Sequence, residues 1–492
     1  MNLKIWWIAP LAAFCLACLL IPYPGLESDE AVFGMAAFGG AAHNFCVSIF
    51  HHQVPLMVFY YAGSLKALLC WPILHLFGPN LWSIRLPVAL AGALSVALFF
   101  DFAGRIAGRK VAVIGAFLLA TDPCFIISNT LDWGPVALEH VLLLSALALF
   151  ARGRPQIAFF FLGLGLWNKA IFIWALAGLL AGGLVAYWPS IKNSLRNGRG
   201  VSRCVIGFLI GCAPLLLYNI RQPASTVRSN VHLTFEGVQG KIASLRYTLD
   251  GSDLFGAVAG MDGVVDHTGL RFHALFLPAV ILAVALAAWR LRSPEFRPAI
   301  FALTFCAASF LLIALTKYAG AAHHIVLLYP MPHLLAAIAI ASVRWKSVPM
   351  LMATLLVGSN LLVFSTYVTQ LRRSGPCGLF TDAIAGLSNS LHDVTDHVYN
   401  IDDGLWENLW LLHSGKLQVR PVAVLEQPAG EIEDTLRDPQ AVYVDHVPGR
   451  EYYVGSGERL SEIAKSIGLR KVPGRVIFDS KGRPQMEVFR FK

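Results

Sequence analysis

Three carboxylates lie within four residues directly after the first long apolar segment of the chain. They are Glu27, Asp29 and Glu30, in the sequence ESDEAVFG. A charged side chain beside a membrane segment needs a reason, because its transfer into lipid has a large desolvation cost. A positioned carboxylate can take the proton of a hydroxyl nucleophile. Asp29 and Glu30 are therefore the first candidates for chemistry, and we expect Glu27 to be a solvated neighbour.

Further polar residues are expected at membrane depth or at helix ends, all on the same side. They are His51, His52, Lys66, Arg85, Asp132 beside Trp133, Lys169, Lys317, Tyr318, His323, His324 and Tyr329. Structural polar groups would be spread over both sides, whereas a site open to one compartment gathers them on one. Carboxylates mixed with Lys, Arg and His suit an anionic phosphate substrate together with a base, because phosphate needs cationic or forked donors.

Composition indicates which elements must position these residues. The chain has 492 residues, of which 56% are hydrophobic and only 14% charged, and this excludes an ordinary soluble protein. Its apolar blocks approach the roughly 20 residues that a helix needs to cross a bilayer. We therefore predict a polytopic helical membrane protein with eleven crossings, at 4–22, 84–103, 111–128, 134–151, 156–168, 170–188, 204–220, 273–290, 298–316, 324–342 and 348–368.

The distribution of Lys and Arg predicts the orientation. Fifteen basic residues fall in alternate loops that hold almost no acid: Lys4, Arg105, Arg109, Lys110, Arg152, Arg154, Lys192, Arg196, Arg199, Arg203, Arg290, Arg292, Arg297, Arg344 and Lys346. By the positive-inside rule these loops and the N-terminus are cytoplasmic. The first outer loop, 23–83, then carries the three carboxylates. A second outer loop, 221–271, with Arg221, either covers the site or is an ordinary connector.

Two stretches test this topology. The apolar stretch 55–78 is long enough to cross, but counting it would invert every later loop. Its aromatics, its prolines and Lys66 suit interfacial or re-entrant helices instead. Conversely, 156–188 is too long for one crossing at 1.5 Å per residue, so the chain must turn near Asn168 and Lys169.

The composition changes abruptly near residue 371. We predict a membrane module at 1–370 and a small α/β domain outside the membrane at 371–492. Strands are expected at 397–402, 417–425, 441–446, 475–480 and 486–491, and a helix at 460–468. The net charge of +9 is explained by the inner loops, so we expect no nucleic-acid partner.

Several segments occur in an order that resembles a known family. They are the Asp29–Glu30 pair, HHQVPL at 51–56, LFGPNLWSIRLPVALAGAL at 76–94, TDP at 121–123, GLGLWNKAIFIW at 163–174 and LLYPMP at 327–332. This order is similar to that of GT-C glycosyltransferases of family 39, which include protein O-mannosyltransferases and the lipid A aminoarabinose transferase. The resemblance covers roughly residues 20–345.

The resemblance implies a fold, a reaction and roles for particular residues. Such enzymes transfer a sugar from a polyprenyl phosphate to an acceptor at the outer face and invert the anomeric centre. The general base would be Asp29, assisted by Glu30, with Asp132 as a second outer-loop acid. The lipid phosphate would be held by Arg85 and Lys169. Where many members carry a Lys or Arg before the late Tyr/Pro segment, this chain instead has His323 and His324, which could bind phosphate, bind a metal or line the outer helix end. The further substrate-loop candidates, His51, His52, Lys317, Tyr329 and Arg221, rest on their types and outer position and not on the resemblance.

Partners and location follow in the same way. We expect a polyprenyl-phosphate sugar as donor, a lipid, glycan or protein as acceptor, and an inner (plasma) membrane location with the site on the periplasmic or extracytoplasmic side. No cofactor is implied, although the adjacent His323 and His324 leave a divalent metal open.

Other interpretations also stay open. Asp29 and Glu30 suit a solvated helix N-terminus, and Arg85 and Lys169 suit interfacial anchors. A transporter or lipid flippase, or an outer-face acyltransferase or phosphotransferase that uses His51 or His323, are the alternative functions.

Overall fold

The computed structural model describes residues 6–39, 44–230, 232–258, 269–290, 293, 296–345, 347–394 and 397–492. The predicted inner-loop residues Lys4, Arg292 and Lys346 lie outside this part of the chain. A helical bundle is followed by a C-terminal α/β module. The bundle helices are α1 (Ile8–Leu20), α2 (Ser28–Met35), α3 (Leu65–Phe77), α4 (Leu81–Ile106), α5 (Arg109–Thr121), α6 (Pro123–Ser128), α7 (Val136–Ala151), α8 (Pro155–Asn168), α9 (Ile173–Leu195), α10 (Gly198–Gly211), α11 (Ala213–Arg221), α12 (Ser225–Asn230), α13 (Val238–Leu249), α14 (Phe255–Val258), α15 (Phe276–Trp289), α16 (Arg297–Leu315), α17 (Ala322–Ile325), α18 (Met331–Ala341) and α19 (Val348–Ser374).

Every predicted crossing coincides with a helix or with two helices joined at a break. Within the described residues, four helices are long and apolar enough to span a membrane by themselves: Leu81–Ile106, Ala170–Leu195, Arg297–Leu315 and Val348–Ser374. Two bent pairs, α10 with α11 and α17 with α18, raise that number to six. Large apolar side chains such as Leu94, Leu180 and Leu355 are exposed on the bundle surface, as lipid-facing side chains are.

Glycines let two helix pairs approach closely. A Cβ at Gly182 in α9 would lie 2.9 Å from the Phe301 carbonyl oxygen of α16, and a Cβ at Gly211 in α10 would collide with the Phe160 carbonyl of α8. Small residues at such interfaces allow backbones to come together in a membrane, where packing rather than water exclusion holds helices.

The first loop differs from its prediction. Residues 55–59, expected in an interfacial helix, belong instead to an antiparallel sheet of β1 (Phe45–Ile49), β2 (His52–Phe59) and β3 (Ala62–Gly63). Pro55 is tolerated in β2 because the pairing with β1 is irregular there, between Phe45 and Cys46. The helical part of the stretch is α3, which exposes Leu69, Trp71 and Phe77, as an interfacial helix does.

The predicted break near Asn168 is confirmed. Helix α8 ends at Asn168, and Lys169 has an extended backbone (φ −156°, ψ 129°) before a short 3₁₀ turn leads into α9. The amide of Ala170 donates to the Tyr61 carbonyl at 2.7 Å, so this break is attached to the small sheet of the first loop.

The C-terminal module contains all five predicted strands. Its elements are α20 (Ala383–Ser390), β4 (His397–Asn400), α21 (Trp406–Leu412), β5 (Val419–Pro421), α22 (Ala429–Leu436), β6 (Ala441–His446), α23 (Ser456–Ser466), β7 (Lys471–Phe478) and β8 (Pro484–Phe491). The sheet order is β5-β4-β6-β8-β7, with β4 parallel to both neighbours and β8 antiparallel to both of its own. The expected boundary at 371 falls within α19, which continues to Ser374.

The module packs directly on α2. The amide of Gly25 donates to the Phe380 carbonyl at 2.7 Å. A Cβ at Gly34 in α2 would lie 3.1 Å from Leu411 of α21, and Phe33 and Leu409 share one apolar cluster. The helix that carries Asp29 is therefore held between the bundle and the C-terminal module.

Candidate active site

The site begins at the N-terminus of α2, where the sequence itself caps the helix. Glu27 is the N-cap, and its carboxylate accepts the Asp29 amide at 2.7 Å, while the Glu27 amide donates to Glu30 at 3.3 Å. This reciprocal capping box satisfies amides that would otherwise lack partners. Glu27 is buried rather than solvated, which corrects the expectation for this residue.

Arg85, near the start of α4, is fully buried and holds the same segment in place. Its Nε and Nη2 atoms donate to the two carboxylate oxygens of Glu30 at 2.8 and 2.6 Å. Its remaining N–H groups donate to the carbonyls of Ile21, Pro24 and Gly25 at 2.6–2.8 Å. An arginine has five N–H donors, and here oxygen atoms of the protein accept all five hydrogen bonds. No donor is left for a phosphate oxygen, so this geometry favours a positioning role for Arg85 and Glu30.

Asp29 lies beside this pair but is free of it. Its side chain is partly exposed, and within the described part of the chain its carboxylate has no hydrogen-bond partner. Burial raises the pKa of the Asp29 carboxyl, and the ammonium groups of Lys169 and Lys66 oppose that shift. An accessible carboxylate with a raised pKa is a stronger base than an ordinary aspartate.

Lys66 and Asp132 form a second buried pair at the base of the site. Lys66 Nζ lies 2.7 Å from Asp132 Oδ2, and both side chains are almost fully buried. Burial alone would lower the pKa of the Lys66 ammonium, but Asp132 raises it. Asp132 also accepts the Ala137 amide at 3.1 Å from a turn in which its own φ is +49°. Aspartate tolerates this left-handed conformation better than most residues, so Asp132 joins α3 to the start of α7.

Lys169 is a buried cation whose hydrogen-bonding capacity is unused among the described residues. Its residue is only 5% exposed, and among the described residues its ammonium makes no hydrogen bond or ion pair. The ammonium lies over Gly134, where a Cβ would come within 2.5 Å of Nζ. Gly134 has φ +71°, so both its backbone and its lack of a side chain suit this position. A buried ammonium without a partner, close to a carboxylate base, is suited to bind an anionic ligand.

The predicted histidine pair lies beside this lysine. The His323 and His324 rings are 4.1 Å apart, and they contact Trp133 and Trp174 respectively. Both Nδ1 atoms are buried without a hydrogen-bond partner in the described structure. The described residues bring together no group of three or more His, Cys, Asp or Glu side chains that could hold a metal, so the geometry adds nothing to the metal interpretation.

The substrate-loop candidates differ in exposure. His51 and His52 are exposed at the tip of the β1–β2 hairpin, and Lys317 and Arg221 are also exposed. Tyr329 is fully buried, and its hydroxyl donates to the Thr248 carbonyl at 3.2 Å. Its contacts are therefore those of a core residue.

Sequence reasoning missed two polar groups around the site. The first group is Glu139 and Asn168, which are fully buried near Asp132 and Lys169. The sequence does carry a signal for Glu139, because a glutamate inside an apolar helix is unusual. Asp403 and Glu407 approach Asp29 from the C-terminal module, and burial, with Asp403 and Asp29, raises the pKa of Glu407 to about 7. This contact depends on tertiary docking and had no local signal.

Known proteins support the fold. A family model described as dolichyl-phosphate-mannose-protein mannosyltransferase matches residues 63–218, and no curated protein sequence matches the chain. The structure of ArnT from Cupriavidus metallidurans bound to undecaprenyl phosphate is 16% identical, with a TM-score of 0.58 and coverage of 98% of this chain and 96% of that one. An oligosaccharyltransferase from Archaeoglobus fulgidus, in complex with zinc and sulfate, is 12% identical, with a TM-score of 0.58 over 98% of this chain and 73% of that one. The predicted GT-C architecture is thus confirmed.

The two buried cations should respond differently to substitution. Arg85→Met leaves the Glu30 carboxylate buried and unpaired, so we expect the free energy of unfolding to fall by about 3–5 kcal/mol. Lys169→Met removes a buried charge that has no partner, so stability should be unchanged or increased. Thermal unfolding of both variants in the same detergent measures the difference. Equal destabilisation would contradict the division into a positioning and a ligand-binding cation.

Proposed function

We propose that this protein is a membrane glycosyltransferase that moves a sugar from a polyprenyl-phosphate donor to an acceptor at the outer face of the inner (plasma) membrane. The observation that carries the proposal is the buried, unpaired Lys169 ammonium close to the accessible carboxylate of Asp29. The similarity in fold to ArnT bound to undecaprenyl phosphate and the match to a mannosyltransferase family model support it.

The chemistry is divided between these two residues. Asp29 accepts the proton of an acceptor hydroxyl as its oxygen attacks the anomeric carbon with inversion. The bond from that carbon to the phosphate oxygen breaks, and its electrons remain on the lipid phosphate. Lys169 stabilises the charge that develops there, so the leaving group needs no proton. Arg85 is reassigned from phosphate binding to the positioning of α2, together with Glu30, while His323 and His324 remain candidates beside the phosphate.

The remaining elements have supporting roles in this proposal. The Lys66–Asp132 pair sets the distance between α3 and α7, and with it the position of the turn under Lys169. The exposed apolar face of α3 offers a surface for the prenyl chain. The acceptor approaches Asp29 from the C-terminal module, where Asp403 and Glu407 lie. The identities of the sugar and of the lipid, glycan or protein acceptor are outside this proposal.

Replacing the base tests the reaction directly. Asp29→Asn keeps the shape of the side chain but cannot accept the proton, so we expect transfer from a polyprenyl-phosphate sugar to fall by at least about 100-fold. Binding of undecaprenyl phosphate and the melting temperature should stay close to those of the unmodified protein. Near-normal transfer by Asp29→Asn would remove Asp29 from the proposed role.

A glycine pair tests the phosphate site without touching a charge. Gly134→Ala introduces a Cβ into the space of the Lys169 ammonium, so we expect weaker binding of undecaprenyl phosphate, by roughly tenfold or more, as for a lost charge-assisted hydrogen bond. Gly153→Ala is the matched control, because Gly153 has φ +70° but nothing within 4 Å of its Cβ position. Both variants bear the same backbone strain, so equal losses of binding would point to strain and away from Lys169.

The pH dependence follows from the environment of Asp29. The base acts in its ionised form, and burial raises its pKa, so activity should begin to fall on acidification at a pH above the usual aspartate range. Lys66→Met removes an ammonium that favours the ionised form, so the acid limb should move to still higher pH. Profiles of kcat/KM against pH measure both effects, and a downward shift in Lys66→Met would be inconsistent with this arrangement.

A further inference from the structure

Two fully buried side chains near Lys169 have hydrogen-bonding capacity that the proposed mechanism does not use. Neither carboxylate oxygen of Glu139, in the first turn of α7, has a partner among the described residues. The Oδ1 atom of Asn168 is also unpartnered. An unsatisfied buried acceptor costs stability, and in native proteins such groups need an explanation.

A single carbonyl links the two residues. Pro135 O accepts the backbone amide of Glu139 at 3.3 Å and the side-chain Nδ2 of Asn168 at 3.1 Å. The Oδ1 atom of Asn168 is left as a free acceptor. The Lys169 ammonium lies over Gly134, the residue before Pro135, and within electrostatic range of Glu139. The two residues therefore neighbour the proposed phosphate-binding ammonium.

The next residue of α7 has no spare hydrogen-bonding capacity. Both ring nitrogens of His140 have partners, with Asn129 Oδ1 at 3.2 Å and Val326 O at 2.7 Å. Buried polar atoms without a partner also occur elsewhere in the described chain, for example at His333 and Asn360. What distinguishes Glu139 and Asn168 is that they are joined through Pro135 O and lie next to Lys169.

Asp29 and Glu139 have different charged neighbours. Lys169, Lys66 and Asp403 of the C-terminal module act on Asp29, whereas Lys169 and Asp132 act on Glu139. Lys169 is common to both. Because the proposed function gives Asp29 to the acceptor, Glu139 is left for the donor.

We propose that Glu139 and Asn168 form the sugar-binding part of the donor site. Their oxygens would accept hydrogen bonds from hydroxyl or ammonium groups of the sugar whose phosphate Lys169 holds. This inference rests on the proposed function. The acceptor oxygens of Glu139 and Asn168 favour sugars with free O–H or N–H donors. A sugar whose hydroxyls are blocked would leave both side chains unpaired and is therefore disfavoured.

The test compares binding of lipid phosphate with and without a sugar, on the full-length protein in detergent. The ligands are undecaprenyl phosphate, undecaprenyl phosphate linked to a neutral hexose, and undecaprenyl phosphate linked to an amino sugar. For Glu139→Leu we expect the Kd of undecaprenyl phosphate to stay within about twofold. The Kd of the preferred sugar-bearing ligand should rise roughly tenfold to a hundredfold.

Two further variants sharpen the result. Glu139→Gln keeps an acceptor but loses the charge, so it should retain binding of the hexose ligand and lose binding of the amino-sugar ligand if an ammonium is recognised. Asn360→Leu is the control, because Asn360 is another fully buried residue with an unpartnered Oδ1, but it lies on α19 and donates to Leu118 O of α5. It should change none of the three Kd values.

Stability gives a readout that a structural role would not produce. Glu139→Leu removes a buried, unpaired carboxylate, so its melting temperature should rise while sugar binding is lost. Equal losses for undecaprenyl phosphate and for its sugar conjugates, or no loss for either conjugate, would overturn the inference. Failure of the unmodified protein to bind undecaprenyl phosphate would instead overturn the proposed function itself.

Discussion

The buried ion pair between Arg85 and Glu30 is the interaction on which the position of the site depends. It joins the N-terminal part of α4 to the first turn of α2. Three backbone carbonyls of the segment before α2 accept the remaining N–H groups of the guanidinium. Two buried charges repay their desolvation only when geometry and hydrogen bonding are complete, and here both are. Asp29 is the residue before Glu30, so the same pair fixes where its carboxylate lies.

The buried charged side chains fall into two classes: those that have a partner within the protein and those that have none. Arg85 with Glu30, and Lys66 with Asp132, are paired within the chain and connect helices. Lys169 and Glu139 are also buried. The Lys169 ammonium makes no hydrogen bond or ion pair among the described residues, and neither carboxylate oxygen of Glu139 has a hydrogen-bond partner there. Since native proteins satisfy most buried polar groups, the second class is where a ligand is expected. This distinction carries more information about the proposed donor site than charge or burial alone.

The sequence predicted the helical order, the break at Lys169 and the strands of the C-terminal module, because each depends on local apolar periodicity or on run length. It could not separate Arg85 from Lys169, since both are single cations at the end of an apolar helix. Their difference lies in partners more than 50 residues away in sequence, such as Glu30 for Arg85. The small sheet at 45–63 was missed because Pro55 and its apolar neighbours read as an interfacial helix, and the docking of α21 on α2 left no local pattern.

The environment of Asp29 includes charges from both the bundle and the C-terminal module. Lys169 and Lys66 favour the ionised base, whereas burial and Asp403 favour the protonated form. Removing the module would therefore change more than access, because it would hydrate Asp29 and remove a neighbouring carboxylate at once. Both changes lower the pKa of the base and weaken it. In the proposed reaction the module thus contributes to the basicity of Asp29 through burial and through Asp403.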